Sequence, residues 1–205
     1  MQYVRFKQAL KDFTLFSLRD IKRIDNVFHR RRLNEWQDKG YIKKLLTGYY
    51  IFSDLEVNEN ILFEIANRIY NPSYISLETA LSYYGLIPES VYGITSVSTR
   101  RTYKFKTRIA EFSYRTVSPR LFFGYEIVKY DRKCFKIACI EKALLDYFYI
   151  NPGIRNKSDF SSLRINKNVL FKKINRKKFN TMLKRIAKKR LQKRMRIFWE
   201  AMKNA

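Results

Sequence analysis

The sequence predicts an α+β protein: an N-terminal winged helix-turn-helix, then a mostly antiparallel sheet with covering helices, then a basic helical C-terminus. Three observations predict it. Helically spaced apolar residues lead into a Thr-Gly hairpin within the first 52 residues, β-branched and aromatic runs fill the middle, and an apolar stripe at helical spacing continues after Gly153 with no further Gly or Pro. The corresponding domain bounds are 1–54, 55–163 and 164–205.

Taken in order, Val4, Phe6, Leu10 and Phe13 predict a first helix, and "SLRDIKRI" a second with Ser17 as its N-cap. "NVFHRRRLNEWQDKG" carries Phe28, Leu33 and Trp36 at helical spacing and Gly40 as a stop, which predicts a third helix of about 12 residues. "YIKKL" and "YYIF" follow as strands, with Leu46-Thr47-Gly48 at the turn. On a helical wheel Phe28, Leu33 and Trp36 point one way, Arg30, Arg31, Asn34 and Asp38 roughly the other, and Arg32 lies nearer the packed edge. Arginine reads guanine and asparagine reads adenine in a bidentate way, while lysines on a wing hold phosphates. Ser17, Arg30, Arg31, Asn34, Lys43, Lys44 and Thr47 are the predicted DNA-contacting residues; the alternative is a solvated basic face on a small helical domain.

The centre opens with "NENILFEIANRIY", an amphipathic helix ended by Asn71-Pro72, and "SLETALSYYG", a helix from Ser76 to Gly85. "ITSVST", "YKFKTRIAEFSYRTV", "YEIVKY" and "CFKIAC" predict four or five mostly antiparallel strands in a meander. "CIEKALLDYFYI" closes the sheet as a helix, stopped by Asn151-Pro152-Gly153. In the tail, Phe179, Met182, Leu183, Ile186, Leu191, Met195, Phe198, Trp199 and Met202 predict one long helix or two consecutive ones, broken at "KKR" 188–190 and packed on the second domain.

Charge separates the partners that are open to such a chain. The 43 Lys and Arg against 18 Asp and Glu leave +25 at pH 7, so the expected partner carries negative charge. Residues 1–53 hold 12 basic and 5 acidic residues (+7), 54–163 hold 15 and 12 (+3), and 164–205 hold 16 and 1 (+15). Two basic flanks around a balanced centre suggest electrostatic contact at both ends and another task between them.

Cys134, Cys139 and the single histidine, His29, are too few to assemble a zinc site, and the thiols are expected reduced. No cofactor is expected. No run approaches the roughly 18 apolar residues that span a bilayer, so the expected location is cytoplasmic, away from the membrane. The carboxylates Glu126, Asp131, Glu141 and Asp146 are scattered over different elements, and the glycines are dispersed instead of forming a phosphate loop. The sequence therefore predicts a non-enzyme.

With the basic N-terminal unit in front, "YISLETALSYYGLIPE", "ITSVSTRRTYKF" and "FKIACIEKALLDYFY" resemble the AbiEi-type antitoxins of abortive-infection toxin–antitoxin systems. The most specific stretch is the "IA…EKALLD" passage, here Ile137 to Asp146. The resemblance covers about residues 10–150 and implies a bacterial, phage-defence protein that represses its own operon by binding promoter inverted repeats. It further implies that the chain counteracts a co-encoded nucleotidyltransferase-like toxin. Lys142 and Asp146 correspond to the family's lysine and aspartate, and Arg100 and Arg101 stand where the family is often basic; all four are toxin-neutralising candidates by the resemblance. Read from spacing alone, Lys142 and Asp146 form an i,i+4 helix pair, a stabilisation of about 0.2–0.5 kcal/mol.

Expected partners are thus duplex DNA and such a toxin, with two protomers per inverted repeat, paired in solution or only on DNA. Two other functions fit the composition: a protein-interaction module that docks a toxin and binds DNA incidentally, and an RNA-binding protein whose 15 tyrosines and 16 phenylalanines include base-stacking rings.

Overall fold

The computed structural model describes residues 2–88 and 93–203. Met1, Asn204, Ala205 and the last residue of "YISLETALSYYGLIPE", Glu89, lie outside the described residues. The chain folds as α+β, with ten α-helices among the described residues, one small antiparallel sheet and one larger mixed sheet.

The first 52 residues build α1 (Tyr3–Ala9), β1 (Phe16–Ser17), α2 (Leu18–Ile24), α3 (Arg31–Asp38), β2 (Ile42–Leu46) and β3 (Tyr49–Phe52). The strands pair antiparallel in the order β1-β3-β2. β1 has only two residues, which leaves no alternation to read in the sequence. Phe6, Phe16, Phe28, Trp36, Tyr50 and Phe52 bury together, with the Phe6 and Trp36 rings 4.4 Å apart. Gly40 ends α3 at φ +71°, and Tyr41 N–H reaches back to the Trp36 carbonyl at 2.9 Å, closing the helix in the left-handed turn that glycine accepts without strain.

The third helix is shorter than its apolar spacing predicts. It begins at Arg31, and Phe28 is buried from the preceding turn, where its N–H bonds the Asp25 carbonyl at 3.1 Å. Arg30 occupies the N-cap position with no side-chain capping bond.

The larger unit comprises α4 (Glu59–Ile69), β4 (Ser73–Ile75), α5 (Leu77–Tyr83), β5 (Gly93–Ser98), β6 (Tyr103–Lys106), β7 (Glu111–Thr116), β8 (Tyr125–Tyr130), β9 (Lys133–Ala138) and α6 (Ile140–Ile150). Its six strands run β6-β7-β5-β4-β9-β8. The sheet is mixed where the sequence predicts a mostly antiparallel meander: β5 runs parallel to β7 and β4 parallel to β9. Two features make it so. The chain leaves β5, forms β6 on the outer edge and returns as β7 beside β5, while the three fully buried residues of β4 insert between β5 and β9.

Four helices follow α6: α7 (Lys157–Ser162), α8 (Lys167–Lys173), α9 (Arg176–Ile186) and α10 (Lys189–Lys203), of which the last two carry the apolar stripe from Phe179 to Met202 as two consecutive helices, one of the two arrangements its spacing predicts. Asn156, Asn166 and Asn175 each cap a new helix by accepting the N3 backbone N–H, which starts α7, α8 and α9 in turn ahead of the apolar stripe. The last break falls at Ala187, in the left-handed region at φ +53°, just before "KKR". Phe179, Leu191, Met195 and Phe198 are buried in the same core as the sheet, the Phe198 ring 5.0 Å from Phe148.

Leu15, Leu45 and Ile51 of the N-terminal unit belong to that larger core. A buried polar chain ties the units further. Glu64 Oε2 accepts from Thr14 Oγ1 (2.5 Å) and Tyr130 OH (2.6 Å), and Lys133 Nζ donates to Thr14 Oγ1 at 2.7 Å. Arg68 joins the two with contacts of 3.6 Å to Glu64 and 4.0 Å to Asp20. Among the described residues no helix is long and apolar enough to cross a membrane.

Candidate nucleic-acid interface

The packing of α3 decides which of its side chains face out. Leu33 and Trp36 are buried against Phe6 and Phe28, so Arg30, Arg31 and Asn34 project into solvent, and Arg32 is half-buried at the edge. The Arg31 side chain is 90% exposed, with its Nε 3.8 Å from Glu35 Oε1. At that distance and exposure the ion pair contributes little, and the guanidinium is available to a ligand.

The remaining N-terminal candidates sit less uniformly. Lys44 is exposed on β2, and Lys43 donates to the Ser53 carbonyl at 3.2 Å. Thr47, exposed at the turn, borders a groove of about 480 Å³ shared with Arg100 and Arg101. Ser17 is committed locally: its hydroxyl accepts the Asp20 N–H at 3.3 Å and its backbone N–H donates to Asp20 Oδ2 at 2.9 Å, a complete capping box for α2, and the hydroxyl also donates to that oxygen at 2.7 Å.

Arg100 and Arg101 are both exposed. The Arg100 guanidinium lies 4.2 Å over the Tyr70 ring, and its Nη1 donates to the Asn71 carbonyl at 3.4 Å. The Arg101 carbonyl accepts from Tyr70 OH at 2.7 Å. Tyr70 therefore positions both arginines.

Lys142 and Asp146 differ most from the exposed helix pair that their spacing suggests. Both are buried on α6, Lys142 at 0% exposure and Asp146 at 2%, and they form an ion pair. Tyr74 OH accepts from Lys142 Nζ and donates to Asp146 Oδ2, each at 2.8 Å, and Ser76 Oγ donates to the same oxygen at 2.9 Å. Burial raises the Asp146 carboxyl above its usual range, opposed by Lys142 and these hydrogen bonds; burial, then the Asp146 charge, raises Tyr74. A partner's surface does not reach these side chains in this conformation. Tyr74 and Ser76 stand about seventy residues away on and beside β4, so linear spacing carries no signal for them.

Gly124 completes this cluster, since a Cβ there would meet Lys142 Cγ at 3.1 Å and Met182 Cε at 3.2 Å, in a backbone at φ +73°.

The tail's cations divide into two sets. Lys184, Arg185, Lys188, Lys189, Arg190, Lys193 and Arg196 are exposed. Arg194 is not: its guanidinium donates to the carbonyls of Phe148 (2.7 Å), Asn151 (3.0 Å) and Ile154 (3.1 Å), covering the C-terminal end of α6. Among the described residues, no three His, Cys, Asp or Glu side chains stand together as a metal site. Cys139 is buried and its thiol is pushed up to about 11 by that burial; Cys134 is exposed.

No protein-family model matches the chain, and no curated protein matches it.

Proposed function

We propose that the chain is a DNA-binding antitoxin and autorepressor of a bacterial toxin–antitoxin operon. The observation that carries the DNA half of this reading is α3: one face seats Leu33 and Trp36 in the core while the other presents Arg30, Arg31 and Asn34 to solvent, with β2 and β3 following as a hairpin. Such a unit works as a winged helix-turn-helix, with α3 in the major groove and Lys44 and the hairpin along the phosphates. The net charge of +25 and the exposed cations of α9 and α10 add sequence-independent attraction to the duplex.

The antitoxin half rests on the resemblance of the second unit to AbiEi-type antitoxins. Within it, Lys142 and Asp146 act as positioning residues that hold α6 against β4, and toxin contact falls to exposed groups such as Arg100 and Arg101. The test is a gel-shift titration of the full chain against its own upstream region and an unrelated duplex at two salt concentrations. Tighter binding to the upstream region supports the reading, and equal binding to both duplexes overturns it. For the second half, co-expression with an adjacent nucleotidyltransferase-like gene should relieve that gene's toxicity; undiminished toxicity removes the antitoxin assignment.

A further inference from the structure

The groove beside Thr47 has a chemistry of its own. At about 480 Å³ it falls within the roughly 300–1,000 Å³ of small-molecule sites. Tyr70, Tyr103 and Phe105 line one side: the Tyr103 and Phe105 centroids are 4.6 Å apart, and Tyr103 lies within 14° of parallel to Tyr70. Tyr103 keeps 46% of its surface exposed, so it offers an aromatic surface that the fold leaves partly uncovered. Arg100, stacked 4.2 Å over Tyr70, and Arg101 line it as well, and none of the nine lining residues is Asp or Glu. Thr47 adds a hydroxyl at the rim.

Aromatic surface and unopposed cations in one groove select a ligand that is both planar and anionic. From this we infer that the groove binds a nucleoside phosphate, its base stacked on Tyr103 and its phosphate held by Arg100 and Arg101. The same chemistry has two sources, a free mononucleotide or the unstacked end of a single strand. Duplex DNA fits less well, because its bases stack on one another and present no face to Tyr103. Phosphate alone leaves the aromatic wall unused. The inference does not depend on base reading by α3, which lines no part of the groove, while the hairpin contributes Leu46, Thr47 and Tyr49 to it and Arg100 and Arg101 are shared with the proposed toxin contact.

The experiment titrates the full chain calorimetrically with the four nucleoside monophosphates, ribose 5-phosphate, a single-stranded hexanucleotide and its duplex. At least one nucleoside monophosphate or the single strand should bind saturably, with ribose 5-phosphate about tenfold weaker or worse. Tyr103→Ala should weaken binding about tenfold or more while Tyr103→Phe stays within about twofold, as expected for stacking. Arg101→Gln should weaken it independently, and thermal unfolding checks that each variant folds. A hexanucleotide tenfold tighter than the best mononucleotide and weakened about tenfold by Tyr103→Ala identifies a strand end as the source, and equal affinity, or a gain that Tyr103→Ala leaves intact, identifies the free nucleotide. The inference is overturned by the absence of saturable binding up to millimolar ligand, by Tyr103→Ala binding as the parent does, by ribose 5-phosphate matching the nucleotides, or by Tyr103→Ala weakening duplex binding as much as it weakens nucleotide binding. Arg31→Ala should leave nucleotide binding unchanged, which separates failure here from failure of the operator reading.

Discussion

Arg194 donates from its guanidinium to the Phe148 carbonyl at 2.7 Å, and in doing so joins the last helix to the end of the helix that closes the sheet. The same side chain bonds two further carbonyls, so a residue that looks like one of many tail cations is a cap. Arg194→Ala should cost roughly 1–3 kcal/mol of stability by leaving these partly buried acceptors unmet, whereas Arg196→Ala, exposed on the same helix, should stay within about 0.5 kcal/mol. Chemical denaturation of the two variants makes the comparison, and equal losses would refute the distinction.

Lys142 and Asp146 form a charge pair out of reach of water. Removing one partner leaves the other buried alone, so Lys142→Met or Asp146→Asn should destabilise by about 3–5 kcal/mol, roughly ten times what an exposed helix pair contributes. Lys142→Met combined with Asp146→Leu should recover part of that loss, because both charges are then gone. A double variant less stable than either single one would mean that Tyr74 and Ser76, left without their acceptor, dominate the site.

The direction of the Asp146 shift sets a pH dependence. Its folded-state carboxyl titrates above the usual 3.8, so between these two values the native chain binds more protons than the unfolded chain. Its contribution is therefore fully present below the unfolded value and declines as pH rises through the folded one. Measured by denaturation, the stability advantage of the parent over Asp146→Asn should shrink as pH is raised from about 4, and an advantage that grows would reverse the assignment.

Arg31→Ala should lower operator affinity by roughly 1–3 kcal/mol and relax base preference at one position, with thermal stability unchanged because the side chain is 90% exposed. Replacing Lys188, Lys189 and Arg190 together by Gln should instead weaken specific and unrelated duplexes alike. The slope of log affinity against log salt should become shallower by about 0.9 for each phosphate that the variant no longer neutralises. An unchanged slope would place the tail away from DNA.

What the sequence disclosed tracks the range of the forces involved. α4 and α6 were legible because eleven-residue amphipathic runs with clear stops encode themselves locally. β1 and β4 were not, since two and three residues carry no period and their placement comes from partners far along the chain. The stripe from Phe179 to Met202 disclosed α9 and α10 and the break between them, whereas the short α7 and α8 ahead of it carry little period and are marked only by their asparagine caps at 156 and 166. For the site, helical spacing alone ordered Arg31, Asn34, Leu33 and Trp36 by face. The burial of Lys142 was not legible, because its surroundings are supplied by Tyr74, Phe123 and Gly124 from other elements.

Leu15, Leu45 and Ile51 bury their apolar surface in the larger core, and Thr14 shares its hydroxyl with Glu64 and Lys133. The N-terminal unit is consequently no interchangeable cassette: cutting the chain after residue 54 strips a nonpolar lining from both pieces and takes Thr14 away from both Glu64 and Lys133. Roles along this chain are best separated by single substitutions at exposed positions, and a swap of the N-terminal unit would have to rebuild the seam as well as α3.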